Sequence, residues 1–82
     1  MSILDNIERF MLDQIAIGVG IRSLAPDEDL LDLGLIDSLG IMKLIVFIED
    51  SFGVRIEDSE IVPENFQSLS QMARFVEQKS AA

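Results

Sequence analysis

No cysteine and no histidine occur anywhere in the 82 residues. The first absence excludes disulfides, thiolate metal sites and a cysteine nucleophile, and the second removes the commonest general base and metal ligand. Cations are scarce as well, with six Lys and Arg against fifteen Asp and Glu, a formal net charge of −9. Such a surface repels nucleic acid and anionic membranes and favours basic protein partners, or simply keeps the chain soluble. The longest apolar run, Leu39 to Ile48, is interrupted by Gly40 and Lys43 and falls far short of the roughly 20 residues that a membrane span needs. Asp5 and Glu8 stand near the N-terminus where a signal peptide carries a basic stretch before an apolar one, so a cytoplasmic protein is expected.

What is present is a hydrophobic share of 49%, enough for one small globular domain over residues 1–82 and too much for a disordered chain. Ser2 suits a helix N-cap, and the first helix is expected to run from there toward Gly18. Ile3, Leu4, Ile7, Phe10, Met11 and Ile15 share one helical face, with Asn6, Arg9, Asp13 and Ala16 across from it and Leu12 outside the apolar stripe. From Val19 to Ile36 periodicity is lost among Gly20, Pro26, Gly34 and the acids Asp27, Glu28 and Asp29. A connection of that length in so small a domain is expected to pack, and Ile21, Leu24, Leu30, Leu31, Leu33, Leu35 and Ile36 are the residues to do it. The acids, with Asp32, lack the alternating spacing and turn glycine of a calcium loop, so no metal site is expected.

Asp37 and Ser38, both strong N-cap types, precede the apolar run and predict a second helix from about Ser38 to Phe52, stopped by Gly53. Its hydrophobic residues cover more than one face. Ile41, Leu44, Ile45, Ile48 and Phe52 form a core stripe, whereas Leu39, Met42 and Val46 project to the other side among Lys43, Glu49 and Asp50. A second stripe is hard to bury in a chain this small, so it is expected to be an exposed apolar strip with charged edges, the form of a docking surface. Phe47 lies between the two faces, and its position does not decide its role. Val54-Arg55-Ile56 is expected to be a connection, and Pro63-Glu64-Asn65-Phe66 a turn or short helix anchored by Phe66. Ser68-Leu69-Ser70-Gln71 has a capping-box pattern and opens a last helix, with Leu69, Met72, Ala73 and Val76 inward and Ser80-Ala81-Ala82 fraying. The expected fold class is all-α: an antiparallel bundle of three main helices plus one short helix, with a long loop between the first and second.

Leu33-Gly34-Leu35-Ile36-Asp37-Ser38-Leu39, followed by Gly-Ile-Met-Lys-Leu-Ile-Val-Phe-Ile-Glu-Asp-Ser-Phe-Gly-Val-Arg-Ile, resembles the 4′-phosphopantetheine attachment region of acyl and peptidyl carrier proteins. The order of elements along most of the chain shares in the resemblance. It implies a protein that catalyses nothing itself. A phosphopantetheinyl transferase would place the 4′-phosphopantetheine arm of coenzyme A on Ser38, and the thiol absent from the sequence would come with the cofactor. The resemblance gives Asp37 a role in capping and in transferase recognition, and gives docking to Leu39, Met42, Val46, Glu49 and Asp50. Further implied partners are an acyl or aminoacyl ligase or transferase that loads the arm, and downstream biosynthetic enzymes that meet a monomeric carrier. Gly40 and Lys43 depart from the acidic opening turns of fatty-acid-synthesis carriers and point to a stand-alone carrier of a specialised pathway, for an amino acid, a hydroxy acid or a polyketide starter. The alternative is an unmodified acidic helical adaptor that binds a protein through the second helix. A hydrolase built on Ser38 lacks an activating base, since Lys43 lies more than one helical turn away.

The charge imbalance carries a measurable consequence, because self-repulsion of a net charge of −9 opposes the compact state and is screened by salt. The melting temperature should rise from low to moderate ionic strength; a melting temperature that does not move with salt contradicts this.

Overall fold

The computed structural model describes residues 2–15 and 23–81. Helix α1 spans Ile3–Phe10 and continues as a π-helical turn over Met11–Ile15. Helix α2 spans Ser38–Phe52, a 3₁₀ turn covers Asp58–Glu60, the short α3 spans Pro63–Phe66, and α4 spans Leu69–Ala81. Among the described residues there is no strand, and the architecture is the expected all-α one. Helices α1 and α2 run antiparallel, since Phe10 stacks on Phe47 while Ile15 lies beside Gly40, seven residues earlier in α2.

The three longer helices begin where the sequence supplies a side-chain acceptor for the free N–H groups of a first turn, whereas the short α3 opens on Pro63 without one. The Ser2 hydroxyl accepts from the N–H of Asp5 at 3.1 Å, and the Asp37 carboxylate accepts from that of Gly40 at 2.7 Å. Ser68 does the same at α4, its hydroxyl accepting from the N–H of Gln71 at 3.2 Å. Helix α2 stops at Gly53, whose φ of 66° is the left-handed conformation that glycine adopts without strain. Inside lie Ile7 and Met11 of α1, Leu44 and Ile48 of α2, Phe66 of α3, and Leu69, Met72, Ala73, Phe75 and Val76 of α4. Phe75 was not among the residues expected inward; it meets Phe66 edge-on, with centroids 6.0 Å apart.

The described part of the long connection packs as expected through Leu24, Leu30 and Ile36, which are buried, and Leu31 and Leu35, which are half-buried. Its backbone is tied to the α3–α4 corner. The N–H of Leu30 donates to the carbonyl of Gln67 at 2.8 Å, and the N–H of Ser70 donates to that of Pro26 at 2.9 Å. The Glu8 carboxylate of α1 accepts from the N–H of Leu24 at 2.8 Å. Where the connection packs inward, its backbone polar groups need such partners. Asp29 accepts from the side-chain amide of Gln67 and from the N–H of Asp32, and these bonds hold its carboxyl below the usual aspartate range.

Two expectations are corrected. Leu33 does not pack; it is 51% exposed. The turn that follows Leu30 closes through Leu33 N–H to Asp29 O and Leu35 N–H to Leu30 O, with Gly34 at a φ of 73°, and this turns Leu30 and Leu35 inward and Leu33 out. Leu12 is half-buried against the core, because the wider π turn rotates residues after Phe10 away from the positions of an α-helical projection. Helix α4 runs through Ala81, and Ala82, the last of the residues expected to fray, lies outside the described residues. The expected run of the first helix over Ala16 to Gly18, and Val19, Gly20 and Ile21 of the connection, lie outside the described residues.

Glu60 ties the 3₁₀ turn to α4. Its Oε1 lies 2.6 Å from Lys79 Nζ and also accepts from the N–H of Glu57 at 2.8 Å. The Lys79 ammonium, whose charge also sits 5.7 Å from the centre of the Phe75 ring, contributes most to lowering the Glu60 carboxyl below its ordinary range, and the Glu57 N–H adds to it. A lowered carboxyl pKa stabilises the fold above the ordinary glutamate range, and that stabilisation is lost as pH falls through the folded-state value. Denaturation midpoints measured down through the acid range should therefore fall for the wild type and fall less steeply for Glu60→Gln; identical acid limbs would contradict the tie. For the α2 cap, Asp37→Ala should lower unfolding stability by about 1 kcal/mol. Ser38→Ala, which removes no cap bond, should leave it within about 0.5 kcal/mol. Equal losses from the two substitutions would overturn the assignment of the cap to Asp37.

Candidate functional site: the exposed mouth of α2

Asp37 is the residue outside the helix and Ser38 the first inside it. Asp37 has extended backbone geometry (φ −113°, ψ −171°), its carbonyl accepts from the N–H of Ile41 at 2.9 Å, and its carboxylate accepts from that of Gly40. The cap thus belongs to Asp37, which leaves the Ser38 side chain free of that duty. Ser38 is exposed, and its hydroxyl has no hydrogen-bond partner among the described residues. Among the described residues the first-turn N–H groups of Ser38 and Leu39 have no partner, and they lie at the positive end of the helix, which favours anions.

Gly40 fits this arrangement. It is buried, and a Cβ there would lie 3.3 Å from Asp37 Oδ1, 3.7 Å from Ile15 Cγ2 and 3.8 Å from Ile36 Cγ2. A larger residue would press on the capping carboxylate, so the glycine keeps the cap and the mouth of α2 in place. A shallow recess opens beside it, bordered by Gly34, Leu35, Asp37, Leu39 and Lys43.

The strip singled out from the sequence is exposed, with Leu39 at 61%, Met42 at 65% and Val46 at 57%. Lys43 and Asp50 flank it, both exposed, and neither makes an ion pair among the described residues. Glu49 differs from its neighbours: it is half-buried, and its Oε2 accepts from the N–H of Ile56 at 2.9 Å, holding the connection after Gly53 to the end of α2. Phe47 turns toward α1, stacked on Phe10 at 4.3 Å and edge-on to Phe52 at 6.0 Å. Sequence reasoning gave no site role to Phe10, Gln14 or Ser51. With Met42, Val46 and Phe47 they line an open groove of about 540 Å³ between α1 and α2. No sequence signal finds it, because it depends on how two helices lie against each other. Among the described residues no cluster of acids has the arrangement to hold a metal ion, and no helix is long and apolar enough to cross a membrane.

The family model described as "Phosphopantetheine attachment site" matches residues 15–76, which include Asp37 and Ser38. The D-alanyl carrier proteins of Streptococcus pyogenes serotype M5 (strain Manfredo) and serotype M1 are each 36% identical over 52 residues, 63% of this chain and 66% of theirs. The match thus spans just under two thirds of the length of those relatives. A solved chain from a crystal structure described as that of an FAD-dependent dehydrogenase superposes with a TM-score of 0.76 at 31% identity, covering 85% of this chain and 97% of that one. An exposed serine opening the second helix of an all-α bundle, inside a family match over residues 15–76, places the chain in the phosphopantetheine-attachment family of acyl and peptidyl carrier proteins, whose members bear covalent 4′-phosphopantetheine.

Proposed function

We propose that Ser38 is the attachment point and that the chain is a non-catalytic, monomeric carrier for a specialised acyl or aminoacyl group, working in the cytoplasm between enzymes of a biosynthetic pathway. The observation that supports this most is the division of labour at the mouth of α2: Asp37 bonds Gly40, so Ser38 caps nothing and faces solvent. When bound, the arm supplies a thiol that holds the cargo as a thioester, a function no side chain of this cysteine-free sequence can provide.

The chain's own residues have three tasks. Ser38 presents its hydroxyl to a phosphopantetheinyl transferase, and Asp37 holds the backbone that aims it. Leu39, Met42 and Val46 offer an apolar strip to the transferase, to the ligase or transferase that loads the arm, and to downstream enzymes. Asp50 supplies exposed charge at its edge, and Glu49 adds charge there while bonding Ile56. A small strip edged with charge suits brief, repeated docking, because electrostatic attraction speeds encounter without tight binding. Lys43 sets the first turns of α2 apart from an acidic docking surface, which supports a partner other than the fatty-acid-synthesis enzymes. The similarity to D-alanyl carrier proteins supports an aminoacyl cargo.

Incubation with coenzyme A and a broad-specificity phosphopantetheinyl transferase should raise the intact mass by roughly 340 Da, the size of the arm, and Ser38→Ala should abolish the gain. A folded wild type that gains nothing while a control carrier is modified would contradict the proposal and favour an unmodified adaptor acting through the same strip.

A further inference from the structure

We infer that the strip of α2 receives one helix of a partner, laid along it with a carboxylate against Lys43 and a cation against Asp50, an inference that rests on the strip as a docking surface. Leu39, Met42 and Val46 stand three and four residues apart, and all three are exposed. That is the spacing of one heptad of a coiled-coil seam, the pattern against which an apolar helix face packs. Lys43 follows Leu39 by four residues, and Asp50 follows Val46 by four. Both therefore fall on the same flank of the seam, where coiled-coil charges select the partner and its direction. At about 1.5 Å per residue the two charges are about 10 Å apart along the axis, the cation nearer the mouth.

Both charges are available to a partner. Lys43 is the only cation of α2, and Glu49 and Asp50 are its only acids. Lys43 and Asp50 are exposed, and neither makes an ion pair among the described residues. Asp37 borders the same recess as Lys43, but its carboxylate is engaged by the Gly40 N–H. Glu49 occupies the next seam position, where it is half-buried and bonded to Ile56, so the seam ends at Val46. A contact one heptad long is weak and readily reversed. Beside the seam, Lys43 and Asp50 line the open groove of about 540 Å³ that Phe10 and Gln14 border from the first helix. A bulky apolar side chain of the docked helix has room there. The net charge of −9 draws basic surfaces from a distance. At contact the local charges decide, and a uniformly basic face would set a cation against Lys43. A second copy of the chain is the poorer occupant, because two such net charges repel.

Two synthetic helical peptides test this. They share one apolar heptad and differ only in the two flanking residues one heptad apart, glutamate and lysine in the first, lysine twice in the second. Each is titrated into the isotope-labelled holo-protein at moderate salt, and binding is read from amide shifts of α2. General attraction to an acidic chain favours the doubly basic peptide. The inference predicts the opposite, with the glutamate–lysine peptide bound about three- to tenfold more tightly. Lys43→Glu, at an exposed position, should invert that order. A nitroxide at the glutamate end should broaden the Leu39 methyls more than those of Val46, and exchanging the charges by Lys43→Glu with Asp50→Lys should reverse this. Tighter or equal binding of the doubly basic peptide, an order that Lys43→Glu leaves unchanged, or no α2 shifts with either peptide at millimolar concentration overturns the inference. Line widths that grow with protein concentration alone assign the strip to a second copy and also overturn it. Attachment is read separately from the intact mass, so each of these failures leaves Ser38 as the attachment point. A wild type that accepts no arm overturns the attachment reading alone, and the peptides are then compared on the unmodified chain.

Discussion

The hydrogen bond from the Gly40 N–H to the Asp37 carboxylate, 2.7 Å long, is the constraint on which the rest of the site depends. It fixes where α2 begins, and the helical period then fixes every residue after it. A slip of about two residues, roughly half a turn, would carry Leu44 and Ile48 out of the core and Met42 and Val46 into it. Because Asp37 takes the bond, Ser38 enters the helix with an uncommitted hydroxyl at its positively polarised end. The buried Gly40 allows the close approach, since a Cβ would stand 3.3 Å from the same carboxylate oxygen. Cap, serine and glycine are one local device that presents an uncommitted hydroxyl at the mouth of α2.

The remaining structure holds that device steady from below and leaves it open above. The connection before α2 is pinned to the α3–α4 corner through Leu30 and Pro26, and to α1 through the bond from the Leu24 N–H to Glu8. Leu24, Leu30 and Ile36 of the connection are part of the core. On the outer side, Leu39, Met42 and Val46 remain in solvent at a cost in exposed apolar area that packing alone would not select. The acidic surface and the apolar strip together suit brief contact with basic partners.

Much of this was legible in the sequence because local rules decide it. The bounds of α2 follow from Asp37-Ser38 before it and Gly53 after it, and the two-faced character of α2 follows from the spacing of Leu39, Met42 and Val46 against Leu44 and Ile48. The start of α4 was readable from Ser68 and Gln71. The features that escaped depend on tertiary placement. Leu33 turns outward because Gly34 takes a left-handed conformation, and the inward side of Leu12 comes from a π turn that a regular helical projection does not contain. Glu49 reads as a surface charge until Ile56 is seen to donate to it. Phe47 could be assigned only when Phe10 lay against it, and the groove they share has no one-dimensional signature.

The central claim is that one hydroxyl, that of Ser38, carries the arm, although the sequence contains eight serines. A phosphorus–proton correlation spectrum of the holo-protein reads the attachment atom directly, through the coupling across the phosphodiester. The account predicts cross-peaks to the arm's own oxymethylene protons and, among the serines, to the β-protons of Ser38 alone. A cross-peak to any other serine, or a phosphorus signal with no serine partner, would contradict it.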